Sequence, residues 1–189
     1  MKSLLIIILC LATCTAPNPF LSPLANQRTI PPVAKIFLPI IVSPLCPWSA
    51  YGIALAGSLT TDTRQLRPMM RCNQFLTQAA ENRAKNLADN NYFAHCDLTG
   101  KCANQYAEDA GCHLPDYYTK NGNNIESLVA GPADPLIAYF FLSNSPAHAD
   151  HLFGRNPFFL EQMDYGIAAV HQPGSLYGHY YVFLIGICE

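Results

Sequence analysis

The stretch from Met69 to Asn91 constrains this chain more than any other. Cys72, Phe75, Leu76, Ala79, Ala80, Ala84, Leu87 and Ala88 recur at intervals of three and four, which draws one apolar face at the period of an α-helix. Glu81, Arg83, Lys85 and Asp89 mostly take the other side, and Asn90-Asn91 ends the run. Two strands close the chain, Tyr165 to His171 and Tyr180 to Ile187, joined by a loop that starts at Gln172-Pro173-Gly174-Ser175. The second strand is apolar on both faces, as in a strand covered from both sides.

Between these landmarks the signals are shorter. Asp134-Pro135 opens a helix through Leu142, because an acidic cap followed by proline suits the first helical turn. Leu136, Tyr139, Phe140 and Leu142 are expected to pack inward. Ser145-Pro146 opens another, carrying His148 in its first turn and His151 three residues on, with Gly154 closing it. The positive end of a helix lowers an imidazole's pKa and suits a neutral histidine acting as ligand or base. Residues 96–124 read as mostly loop, with a helical turn around Asn104 to Asp109, and Asn124 to Val129 as a short strand or turn. Gly52, Gly57 and Thr60-Thr61-Asp62-Thr63 argue for loop and turn over residues 46–68. Ile36 to Val42, interrupted by Pro39, reads as an edge strand or docked extended segment.

The N-terminus reads as an export signal over residues 1–16. Lys2 is its positive region, and Leu4 to Ala12 is too short an apolar run to span a bilayer. Two endings stand. Leu11-Ala12-Thr13-Cys14 resembles a lipobox, which would leave Cys14 acylated as a membrane anchor, although Thr13 is a poor residue before that cysteine; Cys14-Thr15-Ala16 is an ordinary small-x-small site. Residues 17–45 form an extended linker and 46–189 the folded domain, with its core at 66–187. The product is either secreted or anchored to the outer face of the cell membrane. Of the eight cysteines, Cys10 and Cys14 belong to the signal. That leaves Cys46, Cys72, Cys96, Cys102, Cys112 and Cys188, an even set that in an exported chain implies disulfides. Two of Cys96, Cys102 and Cys112 are expected to close a local loop, and Cys46 to reach Cys72 or Cys188. His95-Cys96 and Cys112-His113 place zinc-type ligands side by side, but at spacings that match no finger pattern. With 13% charged residues, a formal net charge of −2 and no basic run, nucleic acid is excluded as a partner.

Taken in order, Asn91-Tyr92-Phe93-Ala94-His95, Asn124-Ile125, Ser145-Pro146-Ala147-His148, Tyr165-Gly166-Ile167 with Val170, and Tyr180-Tyr181-Val182-Phe183-Leu184 resemble the CAP superfamily, the SCP-like or cysteine-rich secretory domains, in its bacterial exported form. The resemblance covers roughly residues 66–187. It implies an α+β fold, a three-layer α-β-α sandwich around a central, mainly antiparallel sheet. It also implies a cleft with two histidines and one or two glutamates, which in some members takes a divalent metal. His95 and His148 match the two histidines. Asn123 stands where the family has its glutamate, and Leu142 near the place of a tryptophan. Glu126, three residues on, reaches the cleft if its segment turns and misses it if the segment is a strand. Loss of the carboxylate removes an anionic ligand and weakens a zinc site built on His95 and His148.

Three functions follow. The first is a non-enzymatic exported domain whose cleft (His95, His148, Asn123, Glu126 and His151, with Tyr92, Phe93 or Tyr180 along it) binds a small, partly apolar ligand or lipid. The second is a metal-dependent hydrolase using His148 as base or zinc ligand, His95 as its partner and Glu126 as acid or base; no Gly-x-Ser-x-Gly or His-Glu-x-x-His motif supports it. The third is a structural cell-surface interaction domain. His113, His171 and His179 read as loop or strand-end residues with no shared function.

Overall fold

A computed structural model describes Cys46 and residues 49–189. The signal segment with Cys14, the linker and the apolar run around Pro39 lie outside the described residues. The elements in chain order are α1 (Ala50–Thr61), β1 (Arg71–Cys72), α2 (Gln74–Asp89), α3 (Ala103–Ala110), β2 (Glu126–Ala130), α4 (Pro135–Asn144), α5 (Pro146–Phe153), α6 (Pro157–Leu160), β3 (Asp164–His171) and β4 (His179–Gly186).

Strand β4 is the spine. The four-stranded sheet runs β1-β3-β4-β2; β4 is antiparallel to both neighbours, and only the short β1 pairs parallel, with β3. Because side chains alternate along a strand, Tyr180, Val182 and Leu184 enter one core with α2 and α3. Tyr181, Phe183 and Ile185 enter the other with α1, α4 and α5. All six are at most 1% exposed, and burying each apolar side chain of this size contributes roughly 1.5–3 kcal/mol. The result is the three-layer α-β-α sandwich with a mainly antiparallel sheet that the sequence implied.

Several local expectations are corrected. The first long helix begins at Gln74, not Met69: Asn73 caps it by accepting from the N–H groups of Phe75 (2.8 Å) and Leu76 (3.1 Å). Arg71 and Cys72 are pulled into extended backbone by pairing with Asp164 and Tyr165. Residues 50–61, expected as loop, form α1. Ser49 caps the helix through Gly52 N–H (3.1 Å), and Ser58, Thr60 and Thr61 return their hydroxyls to carbonyls one turn back, so the residues that suggested turns are absorbed by the helix. The turn expected near 104–109 is the full helix α3, ended by Gly111 at φ 98°. In α4 the buried residues are Ala138, Tyr139, Leu142 and Ser143, whereas Leu136 and Phe140 are 54% and 60% exposed. The helix has no charged residue to fix its rotation. Tyr139 sets it, donating its hydroxyl to Asp62 Oδ2 (2.9 Å) beside α1.

Three disulfides join Cys46–Cys72, Cys96–Cys102 and Cys112–Cys188. The local loop and the Cys46–Cys72 alternative were both legible in the sequence; the pairing of Cys112 with Cys188 was not. Among the described residues no helix is long and apolar enough to cross a membrane.

Candidate functional site

The site is assembled around Arg83. This residue is in phase with the apolar stripe of α2, four after Ala79 and four before Leu87, and its side chain is fully buried instead of lying on the polar side. Its guanidinium donates to Tyr92 Oη and to the Ala94 carbonyl. It thereby wraps the chain beyond α2 around itself and sets His95 at the rim. Its Nε donates to Glu126 Oε2 at 3.0 Å, and both side chains are 0% exposed. Removing one partner of such a pair typically costs about 3–5 kcal/mol, because the other charge stays buried.

Glu126 is the first residue of β2, yet it reaches the site. The reason is a turn over residues 123–126 that Asn123 closes: its Oδ1 accepts from Glu126 N–H (2.8 Å) and its Nδ2 donates to the Glu126 carbonyl (3.2 Å). A glutamate at 123 could accept but not donate. Glu126 Oε1 lies 2.9 Å from His95 Nδ1. Burial pushes the Glu126 carboxyl above the ordinary carboxylate range, while the hydrogen bond with His95 and the charge of Arg83 pull it down. With Arg83 donating to one oxygen, the other accepts from His95 Nδ1–H. That assignment leaves the lone pair on His95 Nε2. Asn123 Nδ2 also sits 2.8 Å from His95 Nδ1, but an amide N–H only donates, so Glu126 is the acceptor that fixes the ring.

His148 comes from the opposite layer, in the first turn of α5. Ser145 occupies the cap position with extended backbone, but its hydroxyl makes no capping bond; it meets His148 Nδ1 at 2.9 Å instead. Burial, then the neighbouring His95, lowers the pKa of His148. His151, one turn on, is buried beneath it. Its Nε2 faces the Ile185 carbonyl (3.4 Å) and its Nδ1 the Ser127 hydroxyl (2.7 Å). The carbonyl can only accept, so Nε2 carries the proton and Nδ1 accepts from Ser127. Burial drives the pKa of His151 down to about 3, with nearby Arg67 adding to it. Arg67 in turn donates to the His151 (2.7 Å) and Leu152 (2.9 Å) carbonyls. It is a cation at the negative end of α5 and holds the helix that carries both histidines.

His95, Asn123, Asn124, Glu126, Ser127, Ala147, His148, His151 and Phe159 line one cleft of about 160 Å³. The structure therefore brings together His95, Asn123, Glu126, His148 and His151. It does not bring Tyr92, Phe93 or Tyr180 there: Tyr180 is buried in the α2-side core, Phe93 packs on Tyr177, and Tyr92 serves Arg83. Arg83, Ser127 and Phe159 were missed; only Arg83 left a trace in the sequence, as a cation in register with an apolar stripe. A larger hollow of about 400 Å³ beside α3 contains His113, which pairs with Glu108 at 3.3 Å, and neither cleft histidine.

Among the described residues no group of three or more His, Cys, Asp or Glu side chains is disposed to hold a metal ion. The donor chemistry explains this. Both Glu126 oxygens are engaged, by Arg83 and His95, and Asn123 has no anionic oxygen to give. Both nitrogens of His151 are engaged by Ser127 and the Ile185 carbonyl, so the cleft offers two available imidazoles, one short of the three protein ligands usual in a zinc site that keeps an open position, and the residues present do not fit a resident zinc.

A three-layer sandwich with a two-histidine cleft, one histidine following the long helix and the other starting a helix of the opposite layer, defines a domain of the CAP/SCP-like fold. Solved structures agree. The chain matches an outer surface protein of Borrelia burgdorferi with TM-score 0.55 and 18% identity, over 72% of this chain and 91% of that one. It matches an extracellular protein containing an SCP domain from Bacillus anthracis with TM-score 0.54 and 17% identity, over 75% of this chain and 44% of that one. No family profile and no curated protein matches the sequence.

Proposed function

We propose that this chain is an exported domain that holds a small ligand between His95 and His148 without transforming it. The observation that carries the reading is that the chain itself engages Nδ1 of both rings, through Glu126 for one and Ser145 for the other. Each Nε2 is thereby left for a ligand. Phe159 and Ala147 give the same cleft an apolar side. Export is supported by the signal-like N-terminus and by three disulfides, which persist in oxidising compartments. It is also supported by the extracellular and outer-surface descriptions of the structural neighbours. Acylation of Cys14 would attach it to the membrane.

Size narrows the ligand. About 160 Å³ is below the roughly 300–1,000 Å³ of sites that enclose drug-sized molecules, so the cleft takes a small molecule whole or only the polar head of a lipid. Hydrolysis is the weaker reading. Glu126 is sealed behind His95 and committed to Arg83, so it does not serve as acid or base in the cleft. Ser127 and His151 have the spacing of a nucleophile and its base, but a histidine near pKa 3 is far from the near-neutral pKa that makes a base effective.

Native mass spectrometry of the chain recovered from outside expressing cells tests the proposal. The expected result is a bound small molecule that is lost in His148→Ala. A bare mass in repeated preparations, or an adduct that survives in the variant, overturns it.

A further inference from the structure

We infer that His171 and His179 form a second site, remote from the cleft, that takes one Ni²⁺ or Cu²⁺ ion through two imidazole nitrogens, with water completing its coordination. In sequence the two residues look like unrelated strand ends. The β3–β4 ladder makes them direct partners. Gln172 N–H donates to the Gly178 carbonyl at 2.8 Å, so the next pair inward, 171 with 179, is of the non-hydrogen-bonded kind, in which facing side chains approach most closely. The two rings lie 4.2 Å apart and 4° from parallel. Nδ1 of His179 is buried with no protein partner. The residue itself is only partly buried, but a shielded, unpartnered nitrogen is costly unless something fills it.

The chemistry favours a cation. Stacked rings need only rotate about their side-chain bonds for two lone pairs to converge on one ion, and His171 is exposed and free to do so. Neutral imidazole pairs suit borderline ions over Mg²⁺ or Ca²⁺. The site is separate from the cleft: His179 is five residues along β4 from Leu184, the partner of Glu126, which at strand rise is roughly 17 Å.

Calorimetric titration of the full chain, disulfides intact, with NiCl₂ at neutral pH tests the site. One ion is expected to bind, with affinity reduced at least about tenfold in His171→Ala and unchanged in His148→Ala. Broadening of the His171 and His179 ring signals by the paramagnetic ion should accompany it. Absence of binding, binding that survives in His171→Ala, or binding lost in His148→Ala instead overturns the inference.

Discussion

His151 shows how much one residue's surroundings decide. As a free side chain it would titrate near 6.5; burial, with Arg67 nearby, takes it to about 3, although the hydrogen bond to the Ile185 carbonyl pulls the other way. The folded form therefore refuses a proton that the unfolded chain accepts. Stability from this group is fully present above pH 6.5 and is lost as pH falls from 6.5 towards 3, by on the order of 5 kcal/mol at about 1.4 kcal/mol per pH unit. Urea unfolding across that window should show the decline, and His151→Gln, which keeps a partner for Ser127 but does not titrate, should flatten it. An equal slope in the variant would place the acid sensitivity elsewhere. Glu126 works in the opposite sense. Its raised pKa favours the fold below the unfolded carboxyl's pKa, and that contribution fades as pH rises through the folded value.

Among the elements, α2 is seated most closely, and a glycine makes that possible. A Cβ at Gly166 of β3 would sit 2.1 Å from the backbone carbon of Leu76 and 2.2 Å from the nitrogen of Thr77. Backbone inside a helix cannot swing aside as a side-chain tip can. Gly166→Ala should therefore force α2 off the sheet, costing about 3 kcal/mol or more and disturbing Arg83 with it. Gly57 in α1 is the contrast: a Cβ there meets nothing within 4 Å, and Gly57→Ala should gain about 0.5–1 kcal/mol from helix propensity alone. Thermal or urea denaturation of the two variants measures both signs. The same elements show what the sequence could disclose. The apolar stripe of α2 was legible because one of its faces is periodic, and both long strands through their apolar runs and the turn residues between them. Helix α1 was missed and α4 was placed without its buried face, since apolar residues surround both and only neighbouring layers choose which ones to cover.

Over the whole molecule the disulfides act at three ranges. Cys112–Cys188 spans 76 positions, Cys46–Cys72 spans 26 and Cys96–Cys102 spans 6. Closing longer loops removes more freedom from the unfolded chain, so loss of each by paired Cys→Ser replacement should cost about 4, 3 and 2 kcal/mol respectively. A reversed order in urea unfolding would mean that native-state packing around the bridges, not chain entropy, dominates.

The sequence alone determined the features that depend on residues close together in the chain. These are the amphipathic period of α2, the cap and proline that start α5, the Gly154 that ends it at φ 66°, and an even cysteine set. It also supplied, through motif order, the two histidines of one cleft. Tertiary structure decided everything that rests on one element meeting another. It buried Arg83 because a carboxylate 43 positions away was waiting for it, turned Glu126 inward through Asn123, and set His171 opposite His179. Local propensity reports energies between near neighbours, whereas desolvation and ion pairing depend on what arrives from the far side of the fold.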